Sequence, residues 1–407
     1  MTVLETRCCI AGGGPAGMML GFLLARAGVD VIVLEKHKDF LRDFRGDTIH
    51  PSTLELMHEL GLIEEFLQLP HQELSQLSAQ VGDETIPLAD FSHLPTRCRF
   101  IAFMPQWDFL NFLERHAKRY PTFRIIMEAD VHDLLEDNGR ITGVRVQTPT
   151  GAFTIRTPLT VGADGRHSTV RERAGLKVEV LGAPIDVLWF RLRREPNDPT
   201  QALGRFTRGK IIIMLNRGDY WQCGFVIPKA TFETLKQRGL EAFRLDIIDV
   251  APFLTNRVGE LQDWDEIRLL TVAVDRLRRW YREGLLCIGD ASHAMSPVGG
   301  VGINLAIQDA VAAANFLGEK LANGAVTEAD LEQVQSRRSL PARLTQRAQV
   351  YIQDRVLGRA LANKQQTSAP WFFQLLKTFP ILRRIPAYLV GVGVRPEHVQ
   401  TKDVLGS

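Results

Sequence analysis

Residues 12–17 read Gly-Gly-Gly-Pro-Ala-Gly, a GxGxxG turn between an apolar strand and a helix, and no other stretch restricts the possible folds as much. Cys8 to Ala11 reads as a short buried strand. Pro15 to Ala27 reads as a helix with apolar Met18, Met19, Phe22, Leu23 and Leu24, and Gly28 stands where a helix-ending glycine is expected. Val29 to Leu34 is almost continuously apolar, as in a strand covered on both faces. This is the start of a βαβ unit. Gly12 permits the tight turn, Gly14 lets backbone approach a pyrophosphate, and Gly17 lets the helix pack close on the strand. Pro15 suits the first helical position, with Ala16 after it. A diphosphate would then sit at a helix N-terminus, where free N–H groups and the macrodipole favour an anion. Glu35 ends the second strand at the spacing of an acid that binds an adenosine ribose, and Lys36 follows it. All seven, Gly12, Gly14, Pro15, Ala16, Gly17, Glu35 and Lys36, are candidate cofactor contacts. NAD and FAD both fit this motif.

The chain has 407 residues, enough for two to three domains. Its 49 Lys+Arg balance 47 Asp+Glu, so charge gives no case for nucleic acid. Five cysteines form no CxxC pair and no HExxH occurs, so no metal site is expected. Sparse cysteine suits a reducing cytosol. We see no targeting segment and no apolar run of transmembrane length, so a soluble cytoplasmic protein is expected. Helices are expected from Pro51 to Leu60 and from Gln106 to Lys118. Strands are expected at Arg124–Met127 and Ile141–Gln147. Val187–Leu192, Lys210–Leu215 and Tyr220–Ile227 read as antiparallel strands between Pro- and Gly-rich turns. The α/β pattern returns after Trp280, with a long apolar helix from Gly302 to Leu321. The tail beyond Thr327 reads as helical, interrupted at Pro341, Pro370, Pro380 and Pro386.

Two further motifs repeat one design, a strand that ends in an acidic residue beside glycine. Val161-Gly-Ala-Asp164-Gly-Arg-His-Ser168 leads into a helix that Ser168 can cap. Gly289-Asp290-Ala-Ser-His293 runs on to Pro297-Val298-Gly-Gly300-Val-Gly302-Ile303-Asn304, a glycine-rich loop feeding a helix. Such a helix N-terminus can stabilise negative charge on a bound ring. With the first motif, in this order over about 300 residues, the chain resembles the group A FAD-dependent monooxygenases, which have the fold of para-hydroxybenzoate hydroxylase.

The resemblance implies an α/β fold, with a Rossmann-like FAD-binding domain, an interleaved antiparallel β-sheet substrate domain and C-terminal helices. The FAD-binding domain would comprise 1–72, 98–180 and 276–345. The substrate domain would comprise 73–97 and 181–275, and 346–407 would be a C-terminal helical segment. It implies FAD as cofactor and NADH or NADPH as co-substrate. The flavin would deliver a hydroxyl from its C4a-hydroperoxide to an aromatic or quinone-like small molecule. The first motif would hold the FAD diphosphate and Glu35 the ribose. Arg45 would contact the diphosphate or linker, Gln106 the ribityl side, and the backbone at Val131 the adenine. Asp164 would serve both FAD and the nicotinamide cofactor, and Asp290 the ribityl chain. Pro297, Gly300, Gly302, Ile303 and Asn304 would lie along the flavin. Bland readings stand beside these: a solvated loop charge for Arg45, a helix cap for Gln106, a structural role for His293, core packing for Cys8 and Cys9. No catalytic side chain is assigned.

Candidate substrate-pocket residues are Trp189, Met214, Trp221, Phe225, Pro297 and Val298, with ordinary sheet core as the alternative for the first four. Halogenases of this scaffold show WxWxIP; here the sequence is Cys223-Gly-Phe225-Val-Ile227-Pro228, with both tryptophans absent. A reductase, or a flavoprotein acting on a lipid or protein partner, is the remaining alternative. It is motivated by the apolar, proline-broken tail from Trp371 to Val394 with Lys377, Arg383 and Arg384, which packs on the body or makes peripheral membrane contact. The cluster Arg276, Arg278, Arg279 and Arg282 reads as a solvated face or an attractor for a phosphorylated nicotinamide. Substrate identity and oligomeric state stay open.

Overall fold

A computed structural model describes residues 2–41, 48–82, 84–199, 203–362 and 371–406. Short, largely apolar strands pair where helices and a second sheet can cover them. Six of them form the central sheet, in the order Tyr281–Arg282, Leu285–Cys287, Leu159–Gly162, Cys8–Ala11, Val31–Leu34, Phe123–Ile126. Every pairing is parallel except the hairpin at the 281–287 edge. The helices Pro15–Arg26 and Val301–Asn323 pack on each other. A four-stranded sheet of Thr2–Glu5, Gly151–Arg156, Arg140–Thr148 and Asp130–Asp137 packs on the strand Leu159–Gly162. The stretch Val298–Asn323 has the length and apolarity of a membrane span, yet most of it is buried in this core.

The second unit is a seven-stranded sheet ordered Arg268–Leu270, Ile185–Arg193, Tyr220–Pro228, Lys210–Asn216, Leu203–Thr207, Gln76–Val81, Glu84–Asp90. Its pairs are antiparallel except the joint of 203–207 with 76–81, which is parallel and sews the two sequence segments together. Strand residues alternate faces. One face, with Leu188, Phe190, Leu192, Ile212 and Cys223, buries against Phe243, Ile247 and Val250 of the helix Leu240–Val250. The other carries Ile185, Ile211 and Val226, and Val298 of the glycine-rich loop packs there.

The helix Glu328–Ile352 is opened by a capping box between Thr327 and Asp330 and runs straight through Pro341, which was expected to interrupt it. An internal proline costs a helix about 3 kcal/mol. Here buried side chains on both sides of it, Arg338, Gln346 and Gln349, hydrogen-bond the body and hold the axis in line. A π-helical turn, Gln353–Leu357, follows. Pro386 likewise does not break Arg384–Gly391, because it lies in the first turn, where no N–H partner is needed. Pro370 lies outside the described residues. The inner side of Arg384–Gly391 packs Ala387 and Gly391 onto Phe91 and Leu94. Its outer side leaves Ile385 and Leu389 exposed.

Candidate active site

Three neighbouring parallel strands, ending at Ala11, Gly162 and Cys287, bring the three motifs to one edge of the central sheet. Open α/β sheets bind ligands at such carboxyl ends. The turns are stitched by Ala163 N–H to Ala11 O at 2.8 Å and Ile288 N–H to Gly162 O at 2.9 Å. Gly12 has φ +107°, and a Cβ there would stand 2.3 Å from Ala163 O. A Cβ on Gly17 would stand 1.9 Å from Gly12 O. A Cβ on Gly14 would meet nothing within 4 Å. Gly12 and Gly17 are therefore required by the protein itself, whereas the space over Gly14 is open. The Glu35 carboxylate, buried at the end of its strand, accepts Gly13 N–H at 3.1 Å and His37 N–H at 3.0 Å. Lys36 is exposed beside it.

Asp164 stands at the second strand end. One of its oxygens accepts Val170 N–H at 3.1 Å. The other, Oδ1, is buried without a hydrogen-bond partner among the described residues. Burial pushes the carboxyl up from the usual aspartate range. Ser168 caps the following helix, accepting Arg171 N–H at 3.0 Å. A buried acceptor without a donor is unusual in a finished structure, and a ligand O–H or N–H would satisfy it. Together with the open space over Gly14 and the helix N-terminus at Pro15, this fits a dinucleotide cofactor.

Asp290 keeps about a third of its side chain exposed, 3.7 Å from Arg166. Behind it lies a buried network that the sequence reading did not identify. Asp309 accepts Gly289 N–H at 3.1 Å, His293 Nε2 lies 2.5 Å from its Oδ2, and Arg338 Nε donates to its Oδ1 at 3.0 Å. Burial alone would push the Asp309 carboxyl up, but His293 and Arg338 outweigh it and hold the group below its usual range. His293 is buried and faces this carboxylate, in the packing role. The loop after it is held from the far side. Gln349 Nε2 donates to Ser296 O and Val298 O, both at 2.9 Å, and Gln353 Nε2 to Ser296 Oγ at 2.5 Å. The sequence signal was available: Gln346, Gln349 and Gln353 follow helical spacing on one face.

Gly300 has φ +63°, and its carbonyl accepts Thr48 Oγ1–H at 3.0 Å. Gly302, Ile303 and Asn304 begin the long helix, and Pro297 is exposed before it. Gln106 is the first residue of the helix Gln106–Ala117. Val131 follows the strand Phe123–Ile126 and itself lies in the strand Asp130–Asp137, paired with Val146. Arg45 lies outside the described residues.

Three expected pocket walls face the wrong way. Met214, Trp221 and Phe225 belong to the face buried against the helix Leu240–Val250. Trp221 also donates its Nε1–H to Asp198 at 2.8 Å, and Arg257 pairs with the same carboxylate. Burial works against that ion, yet Arg257 holds the Asp198 carboxyl down to about 2. Strand alternation is the reason: Trp189 is out of phase with Leu188 and Phe190 and lies half-buried on the other face. Gly224 is its neighbour there, and a Cβ on Gly224 would stand 3.1 Å from the indole. Ile213 and Val226 share this face, which continues to Val298.

Residues 5–348 match the family described as FAD binding domain. Over 388 residues the chain is 32% identical to the 6-methylpretetramide 4-monooxygenase of Streptomyces rimosus, covering 94% of this chain and 92% of that protein. The chain belongs to the group A FAD-dependent monooxygenases. It is 27% identical to an uncharacterized aromatic compound monooxygenase of Bacillus subtilis, over 79% of this chain and 62% of that one, so it spans about three fifths of that relative. The solved anhydrotetracycline hydroxylase of Streptomyces rimosus superposes with TM-score 0.74 at 25% identity, over 96% of this chain and 77% of that one. This monooxygenase is an FAD-dependent oxidoreductase with the para-hydroxybenzoate hydroxylase type of fold.

Proposed function

We propose that this enzyme hydroxylates a fused-ring aromatic or quinone-like small molecule, with NADH or NADPH as reductant. The observation that carries the reading is the apolar face of the seven-stranded sheet on which Trp189 and Ile213 stay part-exposed beside buried Gly224 and Val226, continuous with Val298 of the glycine-rich loop. The relative at 32% identity is named as a 6-methylpretetramide 4-monooxygenase. Bound FAD supplies hydride acceptance and oxygen activation. The protein's part is orientation, exclusion of water and charge placement. In this reading Gly12, Gly14, Pro15, Ala16 and Gly17 hold the diphosphate, with Glu35 and Lys36 at the ribose. Asp164 and Asp290 accept hydrogen bonds from cofactor groups, Gln106, Val131 and Arg45 flank it, and Pro297 to Asn304 bring a helix N-terminus to the flavin ring. The planar substrate lies between Val298 and Trp189.

Absence of both tryptophans of the halogenase motif supports hydroxylation over halogenation. A cytoplasmic setting is part of the proposal, supported by five free cysteines. So is peripheral contact of the tail with anionic membrane, supported by exposed Phe379, Ile381, Ile385 and Leu389 alongside Arg384. Flotation with anionic vesicles tests the contact, and a protein that stays at the bottom refutes it. The function is tested by purifying the flavoprotein and screening polycyclic phenols for stimulated NAD(P)H oxidation. A product heavier by one oxygen supports it; oxidation that no aromatic stimulates overturns it.

A further inference from the structure

The ribbon of Val178–Val180 with Asp275–Leu277 and the helix Glu328–Ile352 flank a half-open pocket of about 250 Å³. It is lined by Arg276 of the ribbon and Arg278 just after it, by Ser339, Arg343 and Arg347 of the helix, and by the buried Trp280. Four guanidinium groups thus share one concavity with a single carboxylate, that of Glu179. Arg276 Nε pairs with it at 3.0 Å. The side chains of Arg278, Arg343 and Arg347 have no hydrogen-bond or ion-pair partner among the described residues. The other two arginines of the sequence cluster are engaged elsewhere: Arg279 with Glu328, and Arg282 with Glu136. The positive field is felt at Glu179, whose carboxyl is held below its usual range by the bond to Arg276, with Arg278 and Arg343 adding to it.

Like charges gathered in a concavity repel one another unless an anion joins them, and a low-dielectric wall concentrates their field. Planar guanidinium forks match phosphate oxygens in pairs. We propose that this pocket binds the phosphate dianion of a small molecule, either the 2′-phosphate of NADPH or a free phosphorylated metabolite. The ring of Trp280 lies 5.0 Å from that of His293, which carries the Asp309 network behind the flavin loop. Only the first of the two sources depends on the monooxygenase reading.

The test is calorimetric titration of the FAD-loaded protein with pyrophosphate at low ionic strength. Arg343→Ala/Arg347→Ala is expected to weaken binding at least tenfold, while Arg279→Ala, which removes a neighbouring charge outside the cavity, leaves it unchanged. Both deleted arginines are exposed, so the melting temperature of the double variant is expected to match wild type. No measurable pyrophosphate binding by wild type, or equal affinity in the double variant, overturns the proposal. Steady-state kinetics separate the sources. A tenfold rise in KM for NADPH with KM for NADH unchanged assigns the 2′-phosphate. Lost pyrophosphate binding with both KM values unchanged assigns a free phosphorylated ligand. The calorimetry needs no turnover, so its failure is distinct from failure of the hydroxylation assay.

Discussion

Asn304 Oδ1 accepts the main-chain N–H of His50 at 2.9 Å, which ties the start of the long helix to the start of the helix Pro51–Glu59. The same oxygen takes the Thr53 hydroxyl at 2.8 Å, and the amide nitrogen donates to Thr48 O at 3.1 Å and Gly300 O at 3.3 Å. The carboxamide is consumed inside the protein. Its backbone, and not its side chain, is what it can offer a flavin ring. Asn304→Ala leaves a buried N–H and a buried hydroxyl without acceptors, each costing about 1–3 kcal/mol. The expected outcome is a lower urea midpoint, with flavin released earlier in the titration than from wild type.

The glycines of the first motif separate by what they face. Gly14→Val is expected to give a folded, colourless protein, because a Cβ there meets no protein atom within 4 Å and the side chain points into the proposed diphosphate position. Gly17→Ala is expected to be insoluble or strongly destabilised, because its methyl collides with the backbone. Absorbance at the flavin band and circular dichroism on both variants decide the matter. A yellow Gly14→Val protein would show that the diphosphate lies elsewhere.

Two glycines near the flavin loop give a parallel contrast. A Cβ on Gly302 finds Met295 at an ordinary 3.5 Å, whereas one on Gly300 would stand 2.5 Å from Thr48 Oγ1 at a left-handed φ. Gly302→Val is expected to melt close to wild type and to release more hydrogen peroxide per NAD(P)H oxidised. Gly300→Ala is expected to lower the melting temperature. Unaltered coupling in Gly302→Val would remove this loop from the oxygen reaction.

The two faces of the seven-stranded sheet are expected to respond differently to truncation. Met214→Ala opens a cavity in sealed core and should cost about 2–5 kcal/mol of stability. Trp189→Ala, at the part-exposed end of the other face, should change KM or coupling with a smaller loss of stability. Denaturant midpoints and aromatic-substrate kinetics on the pair test it; unchanged kinetics in Trp189→Ala would move the substrate off this face.

Stability should fall on mild acidification. His50 is fully buried, its Nδ1 lies 2.7 Å from Val390 O, and burial lowers its pKa from 6.5 to about 4 despite that bond. The imidazole stays neutral in the folded chain while the unfolded chain takes up a proton. Stability is therefore complete above about pH 6.5 and declines as pH falls toward 4, by on the order of 3 kcal/mol. His50→Asn should flatten this part of the curve in melts from pH 7 to 4.5. An unchanged slope would assign the acid sensitivity to other groups.

What sequence made legible was local. The placement of Gly12 to Gly17, Glu35, Asp164 and Asp290 at strand ends was legible because strand, turn and helix are contiguous in the sequence there. What sequence concealed was long-range. Which face of the strand at Trp221 is covered depends on the helix Leu240–Val250, and nothing in the strand reveals that partner. Pro341 looked like a break because propensity knows nothing of Arg338 and Gln349 gripping the body on either side of it. Arg343 and Arg347 join Arg276 and Arg278 only through the packing of the helix on the ribbon.

The parallel joint between Gln76–Val81 and Leu203–Thr207 has a consequence for how the chain is made. During synthesis the early hairpin leaves the ribosome with one edge open and waits for a partner translated much later. The strand Cys8–Ala11 waits likewise for Leu159–Gly162, and the latter for Leu285–Cys287. A nascent chain halted before residue 287 thus displays unclosed sheet borders, the kind of surface that chaperones hold. No linear cut would release either unit intact, so gene fragments of this enzyme should be recovered as aggregates, whereas co-expressed complementary pieces retain a route to assembly.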